Sequence, residues 1–303
     1  MADANARGQK VTGVDLSALN RVVAHTPEDL TVKVEAGSKL ADLQSALAAR
    51  GQWLPIDPPN PERLSIGALL ATNASGPRRY GCGTIRDYLI GIQVALADGR
   101  VIKSGGNVVK NVAGYDLGKL FIGSLGSLGI IVEATFKLRP LPELEQFVQA
   151  RCGSLGKAGS LIALTVESEV AAVVLDLHDL PPCPGSEFPT FSVVAGFAGT
   201  REEVEWQVSR ATALGLADPA DLEYERHFWQ SEGPSPQRMS VLPSRLVETI
   251  GKLPKIPFVA RAGNGVIYYR GGPEAKEDEP PVKLMRRVKD EFDPHHILPD
   301  LPL

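Results

Sequence analysis

Between Ser65 and Gly129 the apolar segments are interrupted by three glycine-bearing turns, and no other feature of the chain narrows its fold as much. They are Ser65-Ile66-Gly67 leading into Asn73-Ala74-Ser75-Gly76, then Lys110-Asn111-Val112-Ala113-Gly114-Tyr115-Asp116, then Gly123-Ser124-Leu125-Gly126-Ser127-Leu128-Gly129. Glycine tolerates positive φ and has no Cβ to hold a ligand away, so such turns offer backbone amides to an anion or a flat ring. Three in one stretch, each bordered by strand-like or helix-like sequence, point to one extended cofactor rather than three unrelated loops.

The flanking pattern supplies the elements. Residues 31–36 alternate as a strand, and Gly37-Ser38 opens a helix with Leu40, Leu43 and Leu47 on one face before Gly51 ends it. The prolines within residues 54–59 exclude helix and predict an extended linker. Ser65 heads an apolar run, which predicts a helix whose N-terminus faces an anion. Residues 88–97 and 100–104 flank Asp98-Gly99, a pair in which both residues suit positive φ and a tight hairpin. A strand over 130–138 leaves the unit at Pro140 and Pro142. Beyond it, strands are expected at 161–166, 190–195, 239–242, 258–262 and 266–270, the last two joined by Gly263-Asn264-Gly265. Thr200-Arg201-Glu202-Glu203 starts a capped helix, and residues 283–292 form a closing one. The fold class is therefore α+β in two units, 1–142 and 143–303.

With 303 residues, 43% apolar and 22% charged, the chain is long enough for two packed cores. A net charge of −4 gives no basic excess to displace counterions from phosphates, so no nucleic-acid partner is expected. No apolar run approaches the roughly 20 residues of a membrane span, and Met1-Ala2-Asp3-Ala4-Asn5 does not begin a leader, which predicts a cytoplasmic protein. Cys82, Cys152 and Cys183 fit neither a disulfide framework nor a cluster-binding spacing, so any iron–sulfur carrier belongs on another chain.

The order of the three turns, followed by Ile130-Ile131-Val132-Glu133-Ala134-Thr135-Phe136-Lys137-Leu138-Arg139-Pro140, resembles the FAD-binding domain of the vanillyl-alcohol oxidase and p-cresol methylhydroxylase (PCMH-type) family. Within it, Ser75-Gly76-Pro77-Arg78-Arg79, the 110–116 segment and Leu125 in place of the glutamate usual in the catalytic members are most similar to FAD-binding subunits of bacterial glycolate oxidases. The resemblance implies a PCMH-type FAD-binding domain followed by an α+β cap whose C-terminal helix and tail return to the first unit. It implies non-covalent FAD, with Ser65, Gly67, Asn73, Ser75, Gly76, Gly126, Gly129 and Ile131 as cofactor contacts. It further implies a catalytic flavin subunit and an iron–sulfur subunit as partners, a small 2-hydroxy acid as the complex's substrate, and membrane association only through partners. Family members open with a βαβ segment carrying Arg-Gly-Gly-Gly-Thr, whereas the match here begins at Val14-Asp15-Leu16-Ser17, an N-terminally shortened form expected to weaken FAD binding.

Residues for the chemistry itself are fewer. Arg78, Arg79 and Arg86, with Tyr80 beside them, are candidates for the flavin edge or a substrate carboxylate, the alternative being a solvated cluster or a site for a partner's acidic patch. Cys82 is a candidate for covalent flavin attachment or a buried apolar residue. The segment Ala262-Gly263-Asn264-Gly265-Val266-Ile267-Tyr268 resembles the family's metal-bearing hairpin without a histidine, and His295-His296 falls in an exposed turn, so no metal and no assigned catalytic residue are expected. The expectations are thus three: an electron-relaying FAD subunit, a self-sufficient 2-hydroxyacid dehydrogenase, or an assembly module of the same fold without flavin.

Overall fold

The computed structural model describes residues 13–106, 117–180, 191–273 and 281–301. In chain order its first unit contains β1 (Val22–Thr26), β2 (Thr31–Glu35), α1 (Leu40–Ala48), β3 (Gln52–Trp53), α2 (Ile66–Thr72), α3 (Arg79–Cys82), α4 (Ile85–Tyr88), β4 (Leu89–Ala95), β5 (Val101–Gly105), β6 (Ile130–Lys137) and β7 (Arg139–Pro140). Five of the strands form one antiparallel sheet in the order β1-β2-β6-β4-β5. Alternation places Val32 and Val34 of β2 and Ala134 and Phe136 of β6 in a core closed by Leu40, Leu43 and Leu47 of α1 and by Ile66, Leu69 and Leu70 of α2. Burying side chains of this size contributes about 1.5–3 kcal/mol each.

The β4–β5 connection differs from the two-residue turn expected. Leu96 N donates to Arg100 O at 2.8 Å and Gly99 N to Leu96 O at 3.0 Å, which closes a three-residue loop in which Gly99 (φ 84°) alone is left-handed. Asp98 acts through its side chain instead, accepting from the Arg100 amide at 3.0 Å.

The second unit contains β8 (Leu144–Cys152), α5 (Leu155–Glu167), β9 (Val174–His178), β10 (Phe191–Gly199), α6 (Arg201–Leu214), β11 (Asp218–Ala220), α7 (Glu223–Gln230), β12 (Pro236–Ser240), α8 (Leu246–Lys252), β13 (Phe258–Arg261), β14 (Val266–Arg270) and α9 (Val282–Phe292). Its sheet has seven antiparallel strands in the order β11-β8-β10-β9-β13-β14-β12. Residues 161–166, expected as a strand, lie within α5. Ser154 caps that helix by accepting from Lys157 N at 3.3 Å, and Ala158, Leu161 and Thr165 form its buried face while Leu164 and Val166 are exposed. A short apolar run reads as either element, and the cap decides it. The strand expected at 239–242 is β12, shifted toward the N-terminus by its pairing of Met239 with Ile267.

The units meet along α3. Gly81 N donates to Val173 O at 3.1 Å, and a Cβ on Gly263 would lie 2.1 Å from the Tyr80 ring. From the opposite end of the chain α9 packs Val288 and Phe292 into the first core, Phe292 meeting Phe121 edge-on at 5.5 Å.

Candidate functional site

The first glycine turn is used differently at its two ends. At the start of α2, Ile66 N donates to Ser38 O (2.9 Å), Gly67 N to Ala36 O (2.7 Å) and Ala68 N to Ser65 Oγ (3.2 Å). A helix offers four unpaired amides to an anion, and here the protein has taken the first three. The expectation that this N-terminus faces phosphate is therefore corrected: Ser65 is a helix cap. Gly67 is a packing glycine, because a Cβ there would sit 3.2 Å from the Ala36 Cβ and oxygen.

The C-terminal end of α2 behaves as a ligand rim would. Asn73 closes the helix in the left-handed region (φ 50°, ψ 40°), and its Oδ1 is buried with no hydrogen-bond partner among the described residues. A buried amide oxygen left unpaired costs about 1–3 kcal/mol, so it marks a place where a partner belongs. The third glycine turn comes to this spot. Gly123 N donates to Leu70 O and Leu125 N to Ala71 O, both at 2.9 Å, so the turn caps the helix carbonyls and draws its own backbone against Asn73. The Cβ direction of Gly123 (φ 79°) ends 3.7 Å from the Asn73 Cβ, and that of Gly126 (φ 79°) meets nothing within 4 Å. Exposed Leu117, Leu120 and Leu125 border the same turn. An unpaired amide oxygen, open glycines and an apolar border fit one side of a flat, polar-edged group such as a flavin nucleotide.

The other predicted contacts divide sharply. Ser75 is buried, its Oγ accepting from Arg79 at 3.4 Å. A Cβ on Gly76 would fall 1.9 Å from Asp57 O, and one on Gly129 2.5 Å from Val94 Cγ1, so both are glycine because protein backbone and side chain pack there. Ile131 is a core residue of β6, paired with Val94. The second turn, Lys110 to Asp116, lies outside the described residues.

Arg78 does not face a ligand. Its NH1 reaches Asp57 Oδ2 at 2.9 Å, its Nε and NH2 hold Glu145 of β8 at 2.7 and 2.5 Å, and its guanidinium lies between the Trp53 and Phe147 rings at 5.8 and 5.7 Å. It is a clamp between the units, which corrects its assignment to the flavin edge. Burial pushes the Asp57 carboxyl up to about 6 even against the Arg78 charge. Arg86 donates to Lys119 O at 2.8 Å, and Tyr80 is packed against the second core. Cys82 is buried, and burial raises its thiol, the opposite of what an attacking thiolate needs.

Under the cap hairpin lies a charge cluster invisible to motif reading. Arg261 pairs with Asp176 at 2.5 Å and with Glu225 at 2.6 and 2.8 Å, and Tyr224 donates to Asp176 at 2.7 Å. Desolvation pushes the Asp176 carboxyl above its ordinary range against the pull of Arg261. His178, stacked on Tyr224 at 4.5 Å, is lowered to about 4 by burial. The residue just before the segment compared above with a metal-bearing hairpin thus brings a cation of its own, the Arg261 guanidinium. His295 and His296 are exposed in the turn after α9.

Sequence reasoning also missed Lys289 and Asp293. Lys289 Nζ is buried and donates to Ser127 O of the third glycine turn at 2.9 Å and to the Asp293 carboxylate. The available signal was a lysine in the last turn of a helix four residues before the aspartate that ends it.

Residues 3–105 match the family described as FAD binding domain. The chain is 35% identical over 163 residues to glycolate oxidase subunit GlcD of Bacillus subtilis, covering 54% of this chain and 35% of that protein. It is 37% identical over 138 residues to glycolate oxidase subunit GlcE of Escherichia coli, covering 45% and 39%. D-2-hydroxyglutarate dehydrogenase of Xanthomonas citri is 36% identical over 129 residues, 43% of this chain and 27% of that one. The chain therefore spans about a third of the length of these curated relatives. A solved structure of alkyldihydroxyacetonephosphate synthase superposes with a TM-score of 0.68 at 17% identity, over 92% of this chain and 66% of that one. The match over residues 3–105 and the fold shared with the synthase are those of a PCMH-type FAD-binding fold, here followed by an α+β second unit. Its sequence relatives include the glycolate oxidase subunits, as the turn motifs implied.

Proposed function

We propose that this chain is the FAD-binding subunit of a glycolate-oxidase-like complex and passes on electrons taken from a 2-hydroxy acid by a catalytic flavin partner. The observation that carries the reading is the meeting of the first and third glycine turns around the unpaired Asn73 Oδ1. Asn73, Gly123 and Gly126 would hold the isoalloxazine-bearing nucleotide, with Leu117, Leu120 and Leu125 excluding water from its apolar face. When bound, FAD supplies a carrier that accepts an electron pair and releases single electrons to an iron–sulfur partner.

A relay role is supported over substrate oxidation by the state of two arginines. Arg78 and Arg261 are both saturated by carboxylates, so neither is available to a substrate's own carboxylate. Two of the five histidines are committed to other contacts and do not serve as a base for a hydroxyl proton. His25 binds Gln52 at 2.9 Å, and His178 is stacked in the second unit.

The test is turnover of glycolate and D-lactate with an artificial acceptor. Activity only after the partner subunits are added supports the relay. Activity of the purified chain alone supports a self-sufficient dehydrogenase, a reading that the likeness to D-2-hydroxyglutarate dehydrogenase keeps in play. A folded chain that binds partners without taking up FAD supports an assembly module.

A further inference from the structure

We propose that Lys289 is a positioning residue for the 123–129 turn, fixing from 162 residues away the backbone against which the flavin nucleotide is placed. The inference rests on the FAD reading for its purpose, and on packing geometry for its mechanism.

The turn needs outside support. Gly123, Leu125 and Gly126 all adopt left-handed φ (79°, 51° and 79°), and Leu125 does so as a non-glycine residue with half its surface exposed. Such backbone persists only where its surroundings over-determine it. On one side it is tied to the end of α2 through Leu70 O and Ala71 O. On the other, Ser127 is almost completely buried, its hydroxyl donating to Ser124 O at 2.7 Å, and its carbonyl receives the Lys289 ammonium.

Docking of α9 alone does not call for that charge. Val288 and Phe292 already seat the helix in the core, and burying an ammonium is costly unless it is neutralised and hydrogen-bonded. Both conditions are met by a built arrangement. Asp293, fully buried one helical turn on, pairs with Lys289 and is itself held by Ile297 N and Leu298 N at 2.9 Å each, while Leu298 O accepts from Nζ at 3.4 Å. Burial opposes the Asp293 charge, but the Lys289 hydrogen bond and these two amides outweigh it and hold the carboxyl below its usual range. The Asp293 carboxylate therefore stays ionised at neutral pH. What the arrangement delivers is one directed donor, aimed at one carbonyl between Gly126 and Gly129.

The experiment compares the wild-type full chain with K289M and K289R by hydrogen exchange and by FAD titration. K289M is expected to speed exchange of the 123–129 amides about tenfold or more while β13 and β14 keep their protection, and to weaken FAD binding by a similar factor, with K289R in between. Unchanged exchange in the turn overturns the proposal, as does faster exchange with FAD affinity within about twofold of wild type. Should K289M fail to fold, D293N keeps the lysine and must show the same selective loosening of the turn. If the folded wild type takes up no FAD, the functional reading falls, while the exchange comparison still judges whether Lys289 holds the turn.

Discussion

Arg78 shows how a residue type can be read correctly and its task wrongly. A guanidinium beside a glycine turn suggests anion binding, but the partners that claim it are far away in sequence: Asp57 in the proline linker and Glu145 in β8. Replacing it with methionine leaves two mostly buried carboxylates without their cation, and we expect a loss of about 3 kcal/mol or more in chemical denaturation. A double-mutant cycle of R78M with E145Q should return a coupling energy of about 1–3 kcal/mol. His178 gives the matching prediction for pH. Its native value near 4 lies below the unfolded value of 6.5, so the unfolded state takes up the proton first as pH falls. The stability contributed by neutral His178 is intact above about pH 6.5 and lost progressively toward pH 4, where the loss reaches about 3 kcal/mol. Asp57, Asp176 and Asp179, all raised by burial, change stability in the opposite direction over pH 4 to 7. The difference between wild type and H178F removes these terms: the variant, which keeps a ring on Tyr224, should gain on wild type by about 3 kcal/mol between pH 7.5 and pH 4 in denaturant melts.

Elements were legible where a local rule fixed them. The Leu40, Leu43, Leu47 stripe, the Thr200–Glu203 capping box and the Gly263–Gly265 hairpin turn each carry their own instruction, and each element forms where that instruction lies. α5 was misread because Leu161-Ile162-Ala163-Leu164 satisfies both periods over so short a window, and only its cap at Ser154 separates them. α2 was legible as a helix but not in its surroundings. Nothing local reveals that Ala36 O and Ser38 O will occupy the first amides of α2, because that contact is made by the turn that follows β2, distant in sequence. Ser65 is accordingly expected to act as a cap: S65A should cost about 1 kcal/mol in thermal or chemical melts and leave FAD affinity within about threefold of wild type. A tenfold loss of affinity at unchanged stability would instead return Ser65 to the ligand.

At the scale of the whole molecule, two antiparallel sheets are joined by an arginine clamp at α3 and re-joined by α9, so the chain's end braces the turn that its middle presents. Glycine-rich order in the sequence was enough to suggest an extended cofactor, because the first and third turns do meet. It was not enough to say which glycines face it. Gly67, Gly76 and Gly129 are small because protein fills the space, whereas Gly123 and Gly126 are open, and that distinction depends on long-range packing alone. No helix among the described residues is long and apolar enough to cross a membrane. The central claim is that the open rim at Asn73 holds the flavin nucleotide, and calorimetric titration of FAD into the wild-type chain and N73G tests it most directly. Glycine keeps the left-handed helix end, so stability should change by less than about 1 kcal/mol. The account predicts one FAD per wild-type chain and a loss of affinity of about tenfold or more in N73G; no uptake by the folded wild type, or equal affinity in the two proteins, would contradict it.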